Sequence, residues 1–281
     1  MAGIGFALRR LSQRGNLLGN IPAYAHSAAA STGPWLFTIL CLATLTVAAL
    51  PYVGNLGVTT FRVIITYNFA FSLVLTGPIV RVVTRCLADQ NYEQDVRDAP
   101  GMLVGALLLS LMVQAPIAGG FYFGYIDLPL PTQIQALVNY FLIASLWIVG
   151  VYLTALKAYI AVSTTFAVGL ALAFGLSLVG AQVGSLDGML MGFNAGLAVI
   201  LFALIARTFA EYPYPPRRIF AWVVHFRGYW SLAVSGLLYN LAIWIDKWVM
   251  WFAPERNTLP SGFIHYGIYD GAMFFAYLAI V

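Results

Sequence analysis

Charge is the scarcest component of this 281-residue sequence. Its 14 Lys plus Arg and 10 Asp plus Glu amount to 9%, against about 25% in an ordinary soluble domain. With 61% hydrophobic residues and a mean hydropathy of +0.85, a soluble globule is excluded, and so are intrinsic disorder and collagen-like repeats. Cysteine is nearly absent: Cys41 sits in an apolar run and Cys86 follows Arg85 in a charged stretch. The two lie at different depths without metal-type spacing, so both read as free thiols. His26, His225 and His265 are far apart in sequence, and no metal site is expected. There is no Gly-x-x-x-x-Gly-Lys-Ser/Thr, no His-Glu-x-x-His and no Gly-x-Ser-x-Gly, which removes P-loop ATP hydrolysis and two hydrolase chemistries. A membrane-embedded glycosyltransferase would need acids near the outer ends of its spans, and 51–59 has none. No catalytic residue and no cofactor are expected, and the chain does not read as an enzyme.

What is present is a series of apolar runs of about 20 residues, the length that crosses a hydrocarbon core at about 1.5 Å per residue. Candidate spans are 28–50, 60–80, 101–125, 134–156, 158–180, 189–209 and 229–252, with an incomplete one from about 266. The fold class is therefore all-α, a polytopic helical membrane protein. Segments 51–59, 126–133, 182–188 and 253–265 are short and carry Gly, Pro, Asn or Asp, as loops do. Segment 81–100 is charged and extends the second span as a surface helix. Segment 211–228 contains Tyr212-Pro-Tyr-Pro-Pro-Arg-Arg, whose prolines exclude a continuous helix; it falls after six spans and divides a first bundle (22–210) from the start of a second (229–281). The last run, 269–281, has only 13 residues, about 20 Å of helix where about 30 Å is needed. It predicts a natural reading frame that continues past Val281.

Basic residues give the orientation. With the N-terminus inside, Arg9, Arg10, Arg14, Arg81, Arg85, Arg97, Lys157, Arg207, Arg217, Arg218 and Arg227 are cytoplasmic, leaving Arg62, Lys247 and Arg256. Eleven against three is the bias that Lys and Arg near short loops impose on topology. It also accounts for the net charge of +4 without a nucleic-acid partner. The N-terminus, with its segment 1–21, is not a secretion signal, because the Ala-x-Ala patterns of the stretch from Ala23 precede the long apolar core instead of following it. Residues 4–15 mix Ile4, Phe6, Leu8 and Leu11 with Arg9, Arg10 and Arg14, as in an amphipathic helix lying on the inner membrane surface.

Within the spans, Gly33-Pro34 and Gly77-Pro78 are candidate kinks, because proline frees a carbonyl one turn back; transporters also use such breaks as hinges or cavity walls. Asp246 and Lys247 are the unusual charges, in Trp244-Ile-Asp-Lys-Trp-Val-Met-Trp251. From Gly228 at the inner face, Lys247 is about 28 Å along the helix, close to the outer interface, where snorkelling beside tryptophans is ordinary. Asn240, Trp244, Lys247 and Trp251 nevertheless share a face at helical spacing and could offer rings and donors to a sugar. Asp246, turned about 100° from Lys247, would anchor the helix to an adjoining span. Arg62, Asn68 and Tyr140 are further candidates for a cavity lining, each alone more often a packing contact.

The opening Met1-Ala-Gly-Ile-Gly-Phe-Ala-Leu-Arg-Arg, the Ser31 to Trp35 stretch, Leu75-Thr-Gly-Pro-Ile-Val-Arg-Val-Val-Thr-Arg-Cys-Leu-Ala-Asp89 and Tyr239-Asn-Leu-Ala-Ile-Trp-Ile-Asp-Lys-Trp248 together resemble the PelG family. The resemblance covers essentially the whole chain. It implies a fold similar to the multidrug/oligosaccharidyl-lipid/polysaccharide flippases, with about twelve spans in two six-helix bundles around a central cavity; this chain would supply the first bundle and the start of the second. It also implies export of an amino-sugar-rich exopolysaccharide, Pel, across the bacterial inner membrane for a biofilm matrix. The implied partners are membrane lipid, a cytoplasmic glycosyltransferase that makes the polymer, and membrane subunits including a cyclic-di-GMP receptor. Two other readings stand beside it. One is an ion-coupled small-molecule antiporter of the same superfamily, which calls for an acid deep in a span, whereas the first six spans have none centrally. The other is a non-transporting scaffold for the glycosyltransferase.

The charge bias makes a prediction of its own. Single cysteines placed in 81–100 or 211–228 resist an impermeant thiol reagent in intact cells, while cysteines replacing Asn55 or Asn257 react; the reverse pattern overturns the topology.

Overall fold

The computed structural model describes residues 17–156 and 159–280, with side chains described for 36–153 and 162–273. The amphipathic helix expected over 4–15 lies outside the described residues. In hydrocarbon a backbone polar group has no water to bond, so apolar runs satisfy their own N–H and C=O groups as helices. The helices are α1 (Leu17–Tyr92), α2 (Ala99–Gly124), α3 (Leu130–Leu156), α4 (Tyr159–Gln182), α5 (Leu186–Glu211), a short α6 (His225–Gly228), α7 (Trp230–Met250) and α8 (Gly267–Ile280). A 3-10 turn, Ala221–Val224, precedes α6. Two two-residue strands, β1 (Asn257–Thr258) and β2 (Ile264–His265), pair antiparallel between α7 and α8. Five of these helices are long and apolar enough to cross a membrane, and α7 makes a sixth with the segment before it, from which it is bent by 85°. The protein is an all-α polytopic membrane protein.

The expected loop at 51–59 is not a loop. Helix α1 runs through it and leaves helical geometry only at Gly54, with φ 69° and ψ 175°. Gly33-Pro34 and Gly77-Pro78 keep helical dihedrals within the same helix. A straight helix over Leu36–Tyr92, 57 residues, would be about 85 Å long, nearly three times the hydrocarbon core. Contacts show that the chain folds back instead. Cys41, 13 residues before Gly54, donates its thiol to the Leu170 carbonyl of α4 at 3.6 Å. Asn68, 14 residues after Gly54, bonds Asn139 at 2.9 Å, which bonds Asn194 of α5 at 2.8 Å. Leu170 and Asn194 lie level with one another, because the neighbouring Gly169 packs on Gly196. The two limbs of α1 therefore run antiparallel along the α4–α5 pair.

That pair is the most closely packed helix hairpin among the described residues. Gly188, Gly192 and Gly196 recur every fourth residue on α5, so one face presents bare backbone, and α4 lays Gly180, Leu176 and Ala173 against it. Without a hydrophobic force between helices in lipid, such small-residue faces hold helices together by close contact. Ser185 caps α5 by accepting from the Gly188 N–H at 3.0 Å.

The first part of the segment between α5 and α7, 212–220, is non-helical, in keeping with its prolines, and it is docked. Gly101 and Gly105 of α2 form a groove filled by the carbonyls of Arg217 and Ile219, where any Cβ would collide. Trp222 is buried there and donates to the Ile219 carbonyl at 2.9 Å.

No atom lies within 4 Å of a Cβ built on Gly54, so its constraint is the backbone: φ near +69° with ψ near 175° is a region open essentially to glycine alone, costing others about 1–3 kcal/mol. Gly54→Ala is expected to lower the thermal unfolding temperature in detergent by that equivalent. An unchanged temperature would show that the α1 hairpin does not depend on this geometry.

Candidate functional site

Helix α7 lies against the second limb of α1. At one end the contact is backbone on backbone: a Cβ at Gly77 would come within 2.7 Å of both the Gly236 carbonyl oxygen and Asn240 Nδ2. One turn on, Asn240 donates to the Leu73 carbonyl at 2.8 Å, in the helical turn ahead of Pro78. Aromatic stacks follow: Trp248 on Phe71 at 4.8 Å and 16°, and Trp251 on Tyr67 at 4.4 Å and 8°. Asn240, Trp244, Lys247, Trp248 and Trp251 fall within an arc of about 100° at 3.6 residues per turn, so one face of α7 forms the whole seam.

The far end is closed by the β1–β2 hairpin. Tyr67 donates its hydroxyl to the Ile264 carbonyl at 2.8 Å and accepts the Ile264 N–H at 3.2 Å. Phe263 is fully buried against Tyr67, Phe121 and Tyr122. Beside the hairpin, burial lowers the His265 pKa; Asp270 pulls it back up and Arg62 pushes it down.

Lys247 does not snorkel. It is 6% exposed, its ammonium is 2.7 Å from Asp270 of α8 and 5.9 Å from the centre of the Trp244 ring. A buried pair of this kind holds position well but gains little net stability, since desolving two charges offsets their attraction. Asp246, turned about 100° from Lys247 on α7, accepts from the Tyr269 hydroxyl at 2.6 Å. Two adjacent residues of α7 thus fasten to two adjacent residues of α8.

The seam is unusual in what it leaves unpaired. Trp244 Nε1, Trp248 Nε1, Trp251 Nε1 and Asp246 Oδ1 are buried without a hydrogen-bond partner, four of eight such side-chain atoms among the described residues. Each buried polar group left so costs about 1–3 kcal/mol; four within eight residues mark a place where the fold is not at its most stable arrangement.

The other sequence candidates lie elsewhere. Asn68 and Tyr140 belong to networks inside the bundle. Asn68 Nδ2 bonds the Ala136 carbonyl and Asn139 Oδ1, both at 2.9 Å, and its Oδ1 accepts from Tyr122 at 2.5 Å. Asn139 donates to Asn194 at 2.8 Å, and Asn194 donates to the Gln135 carbonyl and Oε1. Tyr140 donates to Gln114 at 2.6 Å, which donates to Ser110. Each of these side chains is engaged with protein, so neither network lines an open cavity. Arg62 is exposed and apart from both. Asn139, Asn194, Gln114, Tyr67, Phe71 and Trp248 were not singled out from sequence; an amide in mid-span was the available signal for the first three, whereas Tyr67 and Phe71 gain meaning only from packing on α7.

The whole chain, residues 1–281, matches a family described as "PelG: Putative exopolysaccharide Exporter (EPS-E)". The chain belongs to the PelG family. No curated protein and no solved structure matches it. The family's description is that of an exporter and not of an enzyme, and with the apolar helices it makes this PelG chain a multi-pass membrane protein of polysaccharide export.

Asn139 links three helices, so its loss leaves Asn68 and Asn194 each short of a partner. Asn139→Leu is expected to destabilise by about 2 kcal/mol, above the ~0.6 kcal/mol of a single bond in lipid, while Thr84→Val, at an exposed hydroxyl, changes little. Thermal unfolding in detergent compares them, and equal effects would contradict the linking role.

Proposed function

We propose that this PelG-family chain passes an amino-sugar-rich exopolysaccharide of Pel type from the cytoplasmic face of a bacterial inner membrane to the periplasm, for deposition in a biofilm matrix, and that the polymer moves along the seam between α1 and α7. The observation that carries the reading is the family match over residues 1–281. The 11 to 3 distribution of Lys and Arg supports a cytoplasmic N-terminus. In this reading 22–210 is the first bundle of a fold like the multidrug/oligosaccharidyl-lipid/polysaccharide flippases, 211–228 the linker and 229–281 the start of the second. The face of α7 that carries Asn240, Trp244, Lys247 and Trp251 borders the path, and Asp246 anchors the helix through Tyr269. The seam is closed in the structure and parts to admit polymer.

The linker supports a second role. Because the carbonyls of Arg217 and Ile219 are seated in the Gly101–Gly105 groove, the exposed Arg217, Arg218 and Arg227 stand on a held surface instead of a loose loop. A cytoplasmic glycosyltransferase, and membrane subunits including a cyclic-di-GMP receptor, are the proposed partners for that surface. If docking were the whole function, the protein would be a scaffold.

One experiment separates the two. In a deletion strain complemented with the full-length protein, secreted polymer, membrane protein level and membrane-bound glycosyltransferase are measured together for Lys247→Ala, Lys247→Arg, Trp244→Ala and Asp246→Asn. Export through the seam predicts at least a tenfold loss of polymer from the alanine variants at unchanged protein and enzyme levels. Normal polymer from all four variants removes the seam from the path, and loss of polymer only together with the bound enzyme favours the scaffold.

A further inference from the structure

We infer that Trp244, Trp248 and Trp251 form a ladder of hydrogen-bond donors that binds neutral saccharide units through their oxygen atoms once the α1–α7 seam parts. The inference rests on the seam being the polymer path and names the groups that hold the polymer there.

Three observations lead to it. First, all three indole N–H groups are buried and none has an acceptor, although the bundle beside them pairs Asn68, Asn139, Asn194 and Tyr122. An indole N–H donates and cannot accept, so only a ligand bearing acceptors completes these groups. Sugar hydroxyl, ring and amide oxygens do so. A free ammonium group does not, since it too only donates, and the Lys247 charge stands beside the Trp244 ring.

Second, the three residues repeat at spacings of four and three on one side of α7, and the rings of Phe71 and Tyr67 face Trp248 and Trp251 across the seam. A gap opened between those stacks is walled by aromatic faces on both sides, and the indole N–H groups, which lie in the ring planes, emerge at the edges of one wall. Successive pyranose rings offer apolar faces and oxygen edges in the same alternation.

Third, the seam is built to part. Gly77 meets Gly236 backbone on backbone, with the Asn240 amide and the Arg81 stem beside them, and among the described residues the polar contacts of α7 and its N-cap with α1, Asn240 to Leu73, Arg81 over Tyr239 and Tyr229 to Asp89, lie toward that end. Lys247 and Asp246 fasten α7 to α8 instead, so α7 and α8 can swing as a unit about the glycine contact once the two hydrogen bonds between Tyr67 and Ile264 of the hairpin that joins them are released.

The test removes the N–H and keeps the ring. Trp244→Phe, Trp248→Phe and Trp251→Phe are made singly in the full-length protein, and position 248 is also replaced by benzothienylalanine, which has sulfur in place of the N–H and nearly the same shape. Thermal unfolding in detergent, binding of triacetylchitotriose by calorimetry, and polymer export are recorded. The expected result is an unfolding temperature equal to or above that of the parent, with binding and export each reduced at least tenfold. Removing an unpaired donor should not weaken the closed state, whereas a purely structural indole would lower the unfolding temperature when changed. Full binding and export in the Phe and benzothienyl variants overturns the ladder, as does a lowered unfolding temperature in the benzothienyl variant. If export is normal in these variants but lost in Lys247→Ala, the ladder fails and the seam survives as the path; if every α7 variant exports normally, both fail.

Discussion

A buried amide in lipid has nowhere to turn but to protein, and this constraint shapes the first part of the fold. Asn68, Asn139 and Asn194 come from three helices and form a continuous chain, with Tyr122 of α2 at one end and Gln135 of α3 at the other. Apolar side chains cannot set the rotation or depth of helices in a bilayer, because lipid tails are as good a neighbour as another leucine. The amide chain does both, since a shift of one residue along any of the helices would strand two polar groups in hydrocarbon. The glycine face between α4 and α5 then adds close contact to an arrangement whose register is already fixed.

Helix α7 is held by different means, and the contrast bears on function. Among the described residues it touches α1 through stacked rings, two glycines, Arg81 over the Tyr239 ring and the Asn240 hydrogen bond, and it leaves three indole donors without acceptors. Toward Trp248 and Trp251, stacked rings hold α7 to α1 without a hydrogen bond between the two helices among the described residues, and the bonds to release at that end are those of Tyr67 to the hairpin. The same chain therefore contains an amide chain whose members are all bonded and a seam that holds three unpaired indole donors. A transporter needs both, because motion of one body is useful only against another that keeps its shape.

Much of this was legible in the sequence, and the failures have physical reasons. The spans expected at 101–125, 134–156 and 189–209 lie within a few residues of α2, α3 and α5, because length and hydropathy alone decide what crosses a membrane. The loop expected at 51–59 failed because Gly and Asn there signalled a connection, whereas one glycine in an extended, positive-φ conformation reverses the chain without a loop. The face of α7 was legible from the spacing of Asn240, Trp244, Lys247 and Trp251. Its environment was not: Tyr67 and Phe71 are some 170–180 residues away, and Asp270 lies beyond a hairpin whose docking on Tyr67 no local pattern announces. Arg62, Asn68 and Tyr140 looked alike as polar residues in spans, but one is exposed and two are bonded within the bundle. Sequence identified polar groups in lipid; only packing distinguished the paired from the unpaired.

The linker shows how a connection can carry information between these two regimes. A Gly-x-x-x-Gly pattern on a membrane helix ordinarily admits a second helix, but Gly101 and Gly105 admit a non-helical segment, whose prolines keep it from becoming one. The carbonyls of Arg217 and Ile219 occupy the groove, so the start of α7 is placed relative to α2 by contacts that tolerate no side chain. Tyr229 then bonds Asp89, whose other oxygen holds Arg85 at 2.9 Å, and the Gly77–Gly236 contact follows two turns later. Holding α7 at this end makes separation from α1 begin at the opposite end, where Trp248 and Trp251 meet Phe71 and Tyr67. A partner that pressed on Arg217, Arg218 or Arg227 would act on the fixed end of that lever, which gives the proposed cytoplasmic docking surface a mechanical route to the seam.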